Sequence, residues 1–91
     1  MKIIELGIKD ALLFESPKYY DERGYFFESY REKTFNLGYS FVQDNHSSSK
    51  RNVLRGLHYQ LNKPQGKLVR CIRGSVLDVI VDLRQSSETF G

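Results

Sequence analysis

The chain has 91 residues, the size of one small domain, which excludes a two-domain architecture. Its composition is 40% hydrophobic, 13% aromatic and 27% charged with only 2 Pro, which argues against disordered, collagen-like or low-complexity sequence. The net charge of +3 is dispersed rather than concentrated in one stripe, so we expect a small anionic ligand rather than nucleic acid.

The N-terminal third of the chain predicts short strands. Residues 2–6 and 11–14 have strand-like patterns, residues 21–24 (Asp-Glu-Arg-Gly) predict a turn, and a further strand is expected over residues 25–30. Residues 31–37 predict one short helix that ends at Gly38.

The rest of the chain also reads as strands. Residues 39–45 and 53–60 are strand-like and are separated by a polar loop at 46–52. Residues 67–72 and 75–84 predict an antiparallel hairpin that turns at Gly74, because alternation in the second run places its leucines and two of its valines on one face. Six or seven short strands with one brief helix indicate an antiparallel sandwich or barrel.

Membrane and disulfide chemistry are not expected. The longest apolar run, near residues 76–81, is far shorter than the roughly 20 residues of a membrane helix. Residues 1–6 lack the apolar region of a secretion signal, so we expect a cytoplasmic protein. The single cysteine, Cys71, has no partner for an intramolecular disulfide and is expected in the core.

Polar side chains concentrate between residues 43 and 60. Each one taken singly is explained as a hydrogen-bonding loop residue or a solvated strand residue. His58 is the best candidate for a general base, because the imidazole titrates near neutral pH. If Arg55 and His58 serve one site, Gly56 must interrupt the strand alternation, since a glycine inside a strand is where a bulge is expected. The cluster comprises Gln43, Asp44, Asn45, His46, Arg55, His58 and Gln60.

Two carboxylates of the 75–84 run need partners. Asp78 and Asp82 share the mixed face of the predicted strand, and burying an unpaired carboxylate is costly. We expect ion pairs with the basic residues just upstream rather than catalysis. Those residues are Lys67, Arg70 and Arg73.

A metal site of the cupin kind is not predicted. Such sites use a His-x-His pair followed by a glutamate, since alternation directs both imidazoles into the barrel. Here Gln60 occupies the second histidine position, and no acidic residue lies between Gln60 and Cys71.

Three motifs identify a family. DERGYFFESY (residues 21–30), FVQDNHSSSKRNVLRGLHYQ (41–60) and QGKLVRCIRGSVLDVIVDLRQSSETFG (65–91) resemble the dTDP-4-dehydrorhamnose 3,5-epimerase family. The resemblance implies an all-β, cupin-like jelly-roll barrel, truncated after its N-terminal half. Residues 1–91 are then the N-terminal part of a single dTDP-sugar epimerase domain.

The resemblance also implies an activity. The family epimerises a dTDP-linked 4-keto-6-deoxy sugar at C3 and C5 on the route to dTDP-L-rhamnose, without cofactor or metal. By resemblance His58 is the general base, and Lys67 and Arg55 supply positive charge near the enolate oxygen or the sugar. A half-barrel needs its sheet edges covered, so we expect either a homodimer with exchanged strands or a poorly soluble fragment.

Four further positions match the nucleotide-binding residues of the family, namely Arg23, Glu28, Gln43 and Asn45. Arg23 suits a diphosphate, and the two amides offer the donors and acceptors that a thymine edge requires. One aromatic residue among Tyr25, Phe26 and Phe27 is expected to stack on the base.

Two other functions stay open from the sequence. The tyrosine that serves the family as proton donor cannot be mapped onto this chain, which allows a nucleotide-sugar binding module without turnover. A related 3-epimerase or ketoisomerase on the same barrel is the second alternative, because the identity of the acid determines the product.

Overall fold

The first hairpin joins strands β1 (Lys2–Glu5) and β2 (Leu12–Glu15). The computed structural model describes residues 1–91, and in it these strands pair antiparallel with Ile3 opposite Phe14. Along β2, Leu12 and Phe14 are half-buried while their neighbours are exposed, which is the alternation of a one-sided sheet. Both strands are close to the predicted positions.

The second hairpin joins β3 (Tyr19–Asp21) and β4 (Gly24–Phe26). Asp21 pairs with Gly24 across a two-residue turn, and Gly24 has a φ of 139°, which glycine adopts without steric cost. The predicted turn at 21–24 is confirmed. The sequence did not predict β3, and β4 ends before the predicted limit of residue 30.

A small aromatic cluster provides the hydrophobic core. Phe35 is 4% exposed and is the one buried hydrophobic residue in the structure. Its ring centroid lies 4.7 Å from that of Phe14 and 5.4 Å from that of Tyr30, and Tyr30 contacts Phe41 at 5.9 Å. These rings join the first hairpin to the segment that follows the second.

The predicted helix at 31–37 is wrong. The segment forms one turn over residues 32–35, in which the amides of Thr34 and Phe35 both donate to the Arg31 carbonyl at 3.0 Å. A single helical turn is costly, because it fixes several dihedral angles for very few hydrogen bonds. It is stabilised here by the packing of Phe35 in the aromatic cluster.

The predicted strands at 39–45, 53–60, 67–72 and 75–84, and the hairpin between the last two, are absent from the structure. Alternation specifies the face that each side chain would occupy, but a strand also needs a neighbouring backbone to accept and donate its hydrogen bonds. These segments have no such neighbour, and Val42, Leu54 and Leu77 are each 92% exposed. The loop at 46–52 is irregular, as predicted.

The chain is expanded for its length. Its radius of gyration is 15.6 Å, compared with about 12 Å for a compact domain of this length. Cys71 is exposed, so its expected place in the core is wrong, because no element covers the segment around it. The all-β class is confirmed, since every regular element is a strand in an antiparallel pair. The structure contains no helix long and apolar enough to cross a membrane.

Candidate functional site

Arg23 lies at the tip of the second hairpin, in the turn between β3 and β4. Its Nη2 and Nε donate to Oδ2 of Asp21 at 2.6 and 3.2 Å, and its backbone amide donates to Oδ1 at 2.8 Å. Hydrogen bonds from the Arg23 side chain, and then from its amide, lower the pKa of the Asp21 carboxyl below its usual value. The Arg23 side chain is 86% exposed, so the rest of its guanidinium is available to an anion.

One face of this hairpin consists of aromatic rings that contact one another. Tyr25 lies 5.6 Å from Tyr20 across the strands and 6.1 Å from Phe27, with an angle of 28° between the planes of the second pair. The Nζ of Lys18 lies 4.7 Å from the Tyr25 centroid and 5.6 Å from that of Phe27. Cation–π attraction to the lysine therefore engages both rings.

The opposite face of the hairpin carries two aromatic rings that do not contact those three. Phe26 is 72% exposed and pairs in register with Tyr19, which is 65% exposed. A shallow cavity of about 210 Å³ beside them includes Arg23. The cavity is lined by Tyr19, Asp21, Arg23, Gly24, Tyr25 and Phe26. An exposed ring and an unshared guanidinium edge thus lie on the same hairpin.

Glu28 and the two amides each have a local partner. Oε2 of Glu28 accepts from Nη2 and Nε of Arg31 at 2.6 and 3.0 Å. Nε2 of Gln43 donates to Oδ1 of Asn45 at 3.2 Å. This contact leaves the Gln43 carbonyl oxygen and the Asn45 amide nitrogen for a ligand, which is one acceptor and one donor group.

Arg55 closes the polar loop, because its Nη2 donates to the Ser48 carbonyl at 3.1 Å. The following residue, Gly56, has a φ of 108°, which excludes regular strand geometry at this point. A Cβ at Gly56 would lie 3.7 Å from Nδ1 of His58, an ordinary contact, so the backbone angle rather than space requires glycine. Residues 53–60 form no strand, so the expected interruption of a strand at Gly56 stays a prediction.

The structure does not gather the predicted residues into one pocket. His58 and Lys67 are exposed, and an open cavity of about 540 Å³ at residues 59–63 contains neither. The segments that carry them have no strand partner, so nothing fixes them against the second hairpin. No three His, Cys, Asp or Glu side chains lie close enough together to hold a metal ion.

Asp82 is the most highly connected side chain, and its expected partners are wrong. It is 5% exposed and accepts from Nε and Nη2 of Arg84 at 2.9 and 3.0 Å, rather than from Lys67, Arg70 or Arg73. Hydrogen bonds from Arg84, then from Ser87 and Thr89, hold the pKa of the Asp82 carboxyl well below its usual range. Asp78 is exposed.

A local pattern explains why Asp82 pairs forward along the chain. The Arg84 amide donates to Oδ1 of Asp82 at 3.0 Å, as the Arg23 amide does to Asp21, so both Asp-x-Arg sequences form an Asx-type turn. The turn returns the arginine side chain to its own aspartate. This Asp-x-Arg spacing is the feature of the sequence that predicts the partner.

These observations describe an all-β chain that exposes an arginine, paired amides and a histidine. A family model described as dTDP-4-dehydrorhamnose 3,5-epimerase matches residues 5–91, and the chain belongs to this family. The chain is 57% identical to a dTDP-4-dehydrorhamnose 3,5-epimerase of Pseudomonas aeruginosa, over 100% of this chain and 52% of the relative.

Relatives with the same name occur in other organisms. The protein of Salmonella typhimurium is 55% identical over 100% of this chain and 52% of its own length. The protein of Methanothermobacter thermautotrophicus is 53% identical over 99% of this chain and 50% of its own length. The chain therefore spans about half the length of the curated relatives it matches. No solved structure matches it.

Proposed function

We propose that the chain provides the base-containing part of a single-domain dTDP-4-dehydro-6-deoxy-D-glucose 3,5-epimerase. The observation that carries the proposal is the family match over residues 5–91, together with identity of up to 57% to relatives named as this enzyme. The motifs with His58, Lys67 and Arg23 all lie inside the matched range. The reaction is an isomerisation without net oxidation and calls for no cofactor.

The proposed chemistry is proton transfer next to a ketone. C3 and C5 both flank the C4 carbonyl, so removing either proton places the electron pair on the carbonyl oxygen as an enolate. The neutral imidazole of His58 accepts the proton. A proton donor on the opposite face then returns a proton to the same carbon and inverts it.

Positive charge supports the enolate. Lys67 is exposed and offers a compact ammonium to the developing oxyanion, where a fixed charge is most effective once water is excluded. Arg55 uses one N–H on the Ser48 carbonyl and keeps the others for the sugar. The loop contact thus orients the guanidinium.

The nucleotide is assigned to the second hairpin and the paired amides. Arg23 binds the diphosphate through the guanidinium edge that Asp21 leaves open. Gln43 and Asn45 bind the thymine edge, and the Glu28 carboxylate, oriented by Arg31, accepts from a hydroxyl group.

Phe26 is the proposed stacking platform for the base. Tyr25 also lines the cavity that includes Arg23, but Tyr25 and Phe27 already contact each other and Lys18, whereas Phe26 is 72% exposed beside the cavity and lies outside that stack.

A homodimer with exchanged strands is the proposed assembly, in the cytoplasm and without a membrane or nucleic-acid partner. The segments at 39–45, 53–60 and 75–81 expose apolar side chains such as Val42, Leu54 and Leu77 and have no strand partner in the structure. A second copy supplies such a partner. Light scattering on the purified chain tests this: we expect the mass of two chains, and a monomer contradicts it.

Solvent-deuterium incorporation tests the activity. The chain is incubated with dTDP-4-dehydro-6-deoxy-D-glucose in D₂O and the label is located by NMR. We expect deuterium at both C3 and C5. Label at C3 alone favours the 3-epimerase or ketoisomerase, no label with retained dTDP binding favours the binding module, and loss of both contradicts the proposal.

A further inference from the structure

Residues 82–91 form a closed loop, which we call the strap. The Gly91 amide donates to the Asp82 carbonyl at 2.8 Å and so joins the two ends of the strap. Inside it, the Ser87 amide donates to the Arg84 carbonyl at 2.9 Å, and the Phe90 amide donates to the Ser87 carbonyl at 3.3 Å. The strap is therefore a compact unit with its own backbone hydrogen bonds.

The Asp82 carboxylate lies at the centre of the strap. Besides the Arg84 guanidinium and amide, its Oδ2 accepts from Oγ of Ser87 at 2.5 Å and from Oγ1 of Thr89 at 2.6 Å. The Thr89 amide in turn donates to Oγ of Ser87 at 3.2 Å. One buried carboxylate thus fixes three side chains, and a charged acceptor makes each bond stronger than a neutral one.

Two of these side chains also hold a distant part of the molecule, the turn between β1 and β2. Nη1 of Arg84 donates to Oδ2 of Asp10 at 2.7 Å, and its Nη2 donates to the Lys9 carbonyl at 2.8 Å. The Lys9 amide donates to Oγ1 of Thr89 at 3.2 Å. The planar guanidinium allows Arg84 to bond to Asp82 and to the turn at the same time.

We propose that Asp82 and Arg84 form a latch that fastens the strap to the β1–β2 turn. Asp82 orients Arg84 and Thr89, the two groups that hold Lys9 and Asp10, so both sides of the latch open and close as one unit. The latch is a conformational device separate from the proposed sugar chemistry. It holds the C-terminal end of the apolar run 75–81 in a fixed position relative to the first hairpin.

The second hairpin provides an internal comparison. Asp21 and Arg23 make the same Asx-type turn as Asp82 and Arg84, and each arginine donates from Nε and Nη2 to its own aspartate. Arg23, however, makes no long-range hydrogen bond, and its side chain is 86% exposed. Loss of the Asp21 carboxylate therefore has a local effect, whereas loss of the Asp82 carboxylate affects residues more than 70 positions away.

Amide hydrogen exchange on the whole chain tests the latch. In Asp82→Asn we expect exchange to accelerate about tenfold at Lys9, Thr89 and Gly91, the size of an ordinary coupling between contacting groups. The strands of the second hairpin keep their protection, and the exposed control Asp44→Asn leaves all these amides unchanged. If Lys9 keeps its protection while the strap loses its own, the network is only a local turn and the latch is contradicted.

A milder variant tests reciprocity without touching the central carboxylate. Asp10→Asn changes only the hairpin side of the latch, yet it should accelerate exchange at Thr89 and Gly91, on the strap side, several-fold. Glu5→Gln, on exposed strand β1, is the matched control and should leave the strap unchanged. Strap amides that exchange at the same rate in Asp10→Asn and in the parent chain overturn the proposal.

Discussion

The Arg84 guanidinium donates to the Asp10 carboxylate across 74 residues of chain, at an Nη1–Oδ2 distance of 2.7 Å. Asp10 has a φ of 67°, so it is the left-handed residue of the β1–β2 turn that receives this contact. Both side chains are about half exposed or more, and such a pair contributes little when it acts singly. Its importance comes from Asp82, which holds the guanidinium in place.

The latch should resist mild acid and open in strong acid. Because the folded-state pKa of Asp82 is lowered, its contribution to stability is fully present above the unfolded-state pKa of about 4 and is lost as pH falls further. The Arg84 Nε–H resonance, followed by NMR, should therefore keep its position between pH 7 and pH 4 and move towards that of a free arginine only at lower pH, as the lowered folded-state pKa of Asp82 is approached. A change between pH 7 and 5 would point to a different titrating group.

Replacing His58 by Asn should abolish deuterium exchange at C3 and C5, since loss of a positioned base typically costs about 10²- to 10⁴-fold in rate. Binding of dTDP should stay close to that of the parent chain, because the groups assigned to the nucleotide are unchanged. The other histidine provides the control: His46→Asn, in the exposed polar loop, should retain exchange. Exchange at the parent rate in His58→Asn would show that another residue is the base.

Arg23→Gln should weaken dTDP binding by about tenfold or more, as expected when a charge-assisted hydrogen bond to a diphosphate is lost. Isothermal titration at two salt concentrations measures this, and the variant should also show a smaller dependence on salt. Arg73→Gln, also exposed, serves as the control. Equal affinities for the two variants would remove Arg23 from the nucleotide site.

Lys67→Gln should lower the rate of exchange while leaving dTDP affinity nearly unchanged, because the ammonium acts on the enolate and not on the nucleotide. Removing one such electrostatic contact costs about 10²- to 10³-fold in rate. The matched control is Lys63→Gln, four positions away in an exposed bend. If the substitution weakens dTDP binding instead, Lys67 belongs to the nucleotide site.

Phe35→Ala should destabilise the fold by about 3 kcal/mol, the lower end of the cost of truncating a buried phenylalanine. Its ring contacts both Phe14 and Tyr30, so the near-ultraviolet dichroism of the aromatic residues should fall with stability. Phe90→Ala removes a ring that is 54% exposed and should change stability by less than about 0.5 kcal/mol. Urea unfolding compares the two; similar losses would mean that Phe35 is not the centre of the core.

The sequence predicts the strands of the first hairpin and the turn at 21–24 better than the later strands, because a short turn depends on neighbouring residues. The turn at Asp21 to Gly24 follows from an aspartate that caps its own turn and a glycine that takes a positive φ. The run from residue 75 has equally clear alternation, but its pairing depends on a backbone that alternation does not specify. Because this run has no neighbouring strand to pair with, the side chain of Leu77 is exposed to solvent.

In the candidate site, too, the sequence predicts contacts between near neighbours but not contacts between distant segments. The sequence places Gln43 beside Asn45, and these amides are in contact. It does not place His58 against Arg23, since that distance depends on how unpaired segments pack. The Asp82–Arg84 pair follows from local spacing, whereas the contact with Asp10 depends on a chain reversal that no motif encodes.

The exposed run 76–81 also has a consequence for handling the protein. Its valines, leucine and isoleucine have high β propensity, and Asp78 is the single charged residue of the run. Segments of this kind stack into cross-β aggregates when they are exposed to solvent. The exposed Asp78 carboxylate interrupts this stack, since identical charges repel when copies align in register. Asp78 therefore acts as a gatekeeper, and a neutral residue at this position would shorten the time for which the purified chain stays in solution.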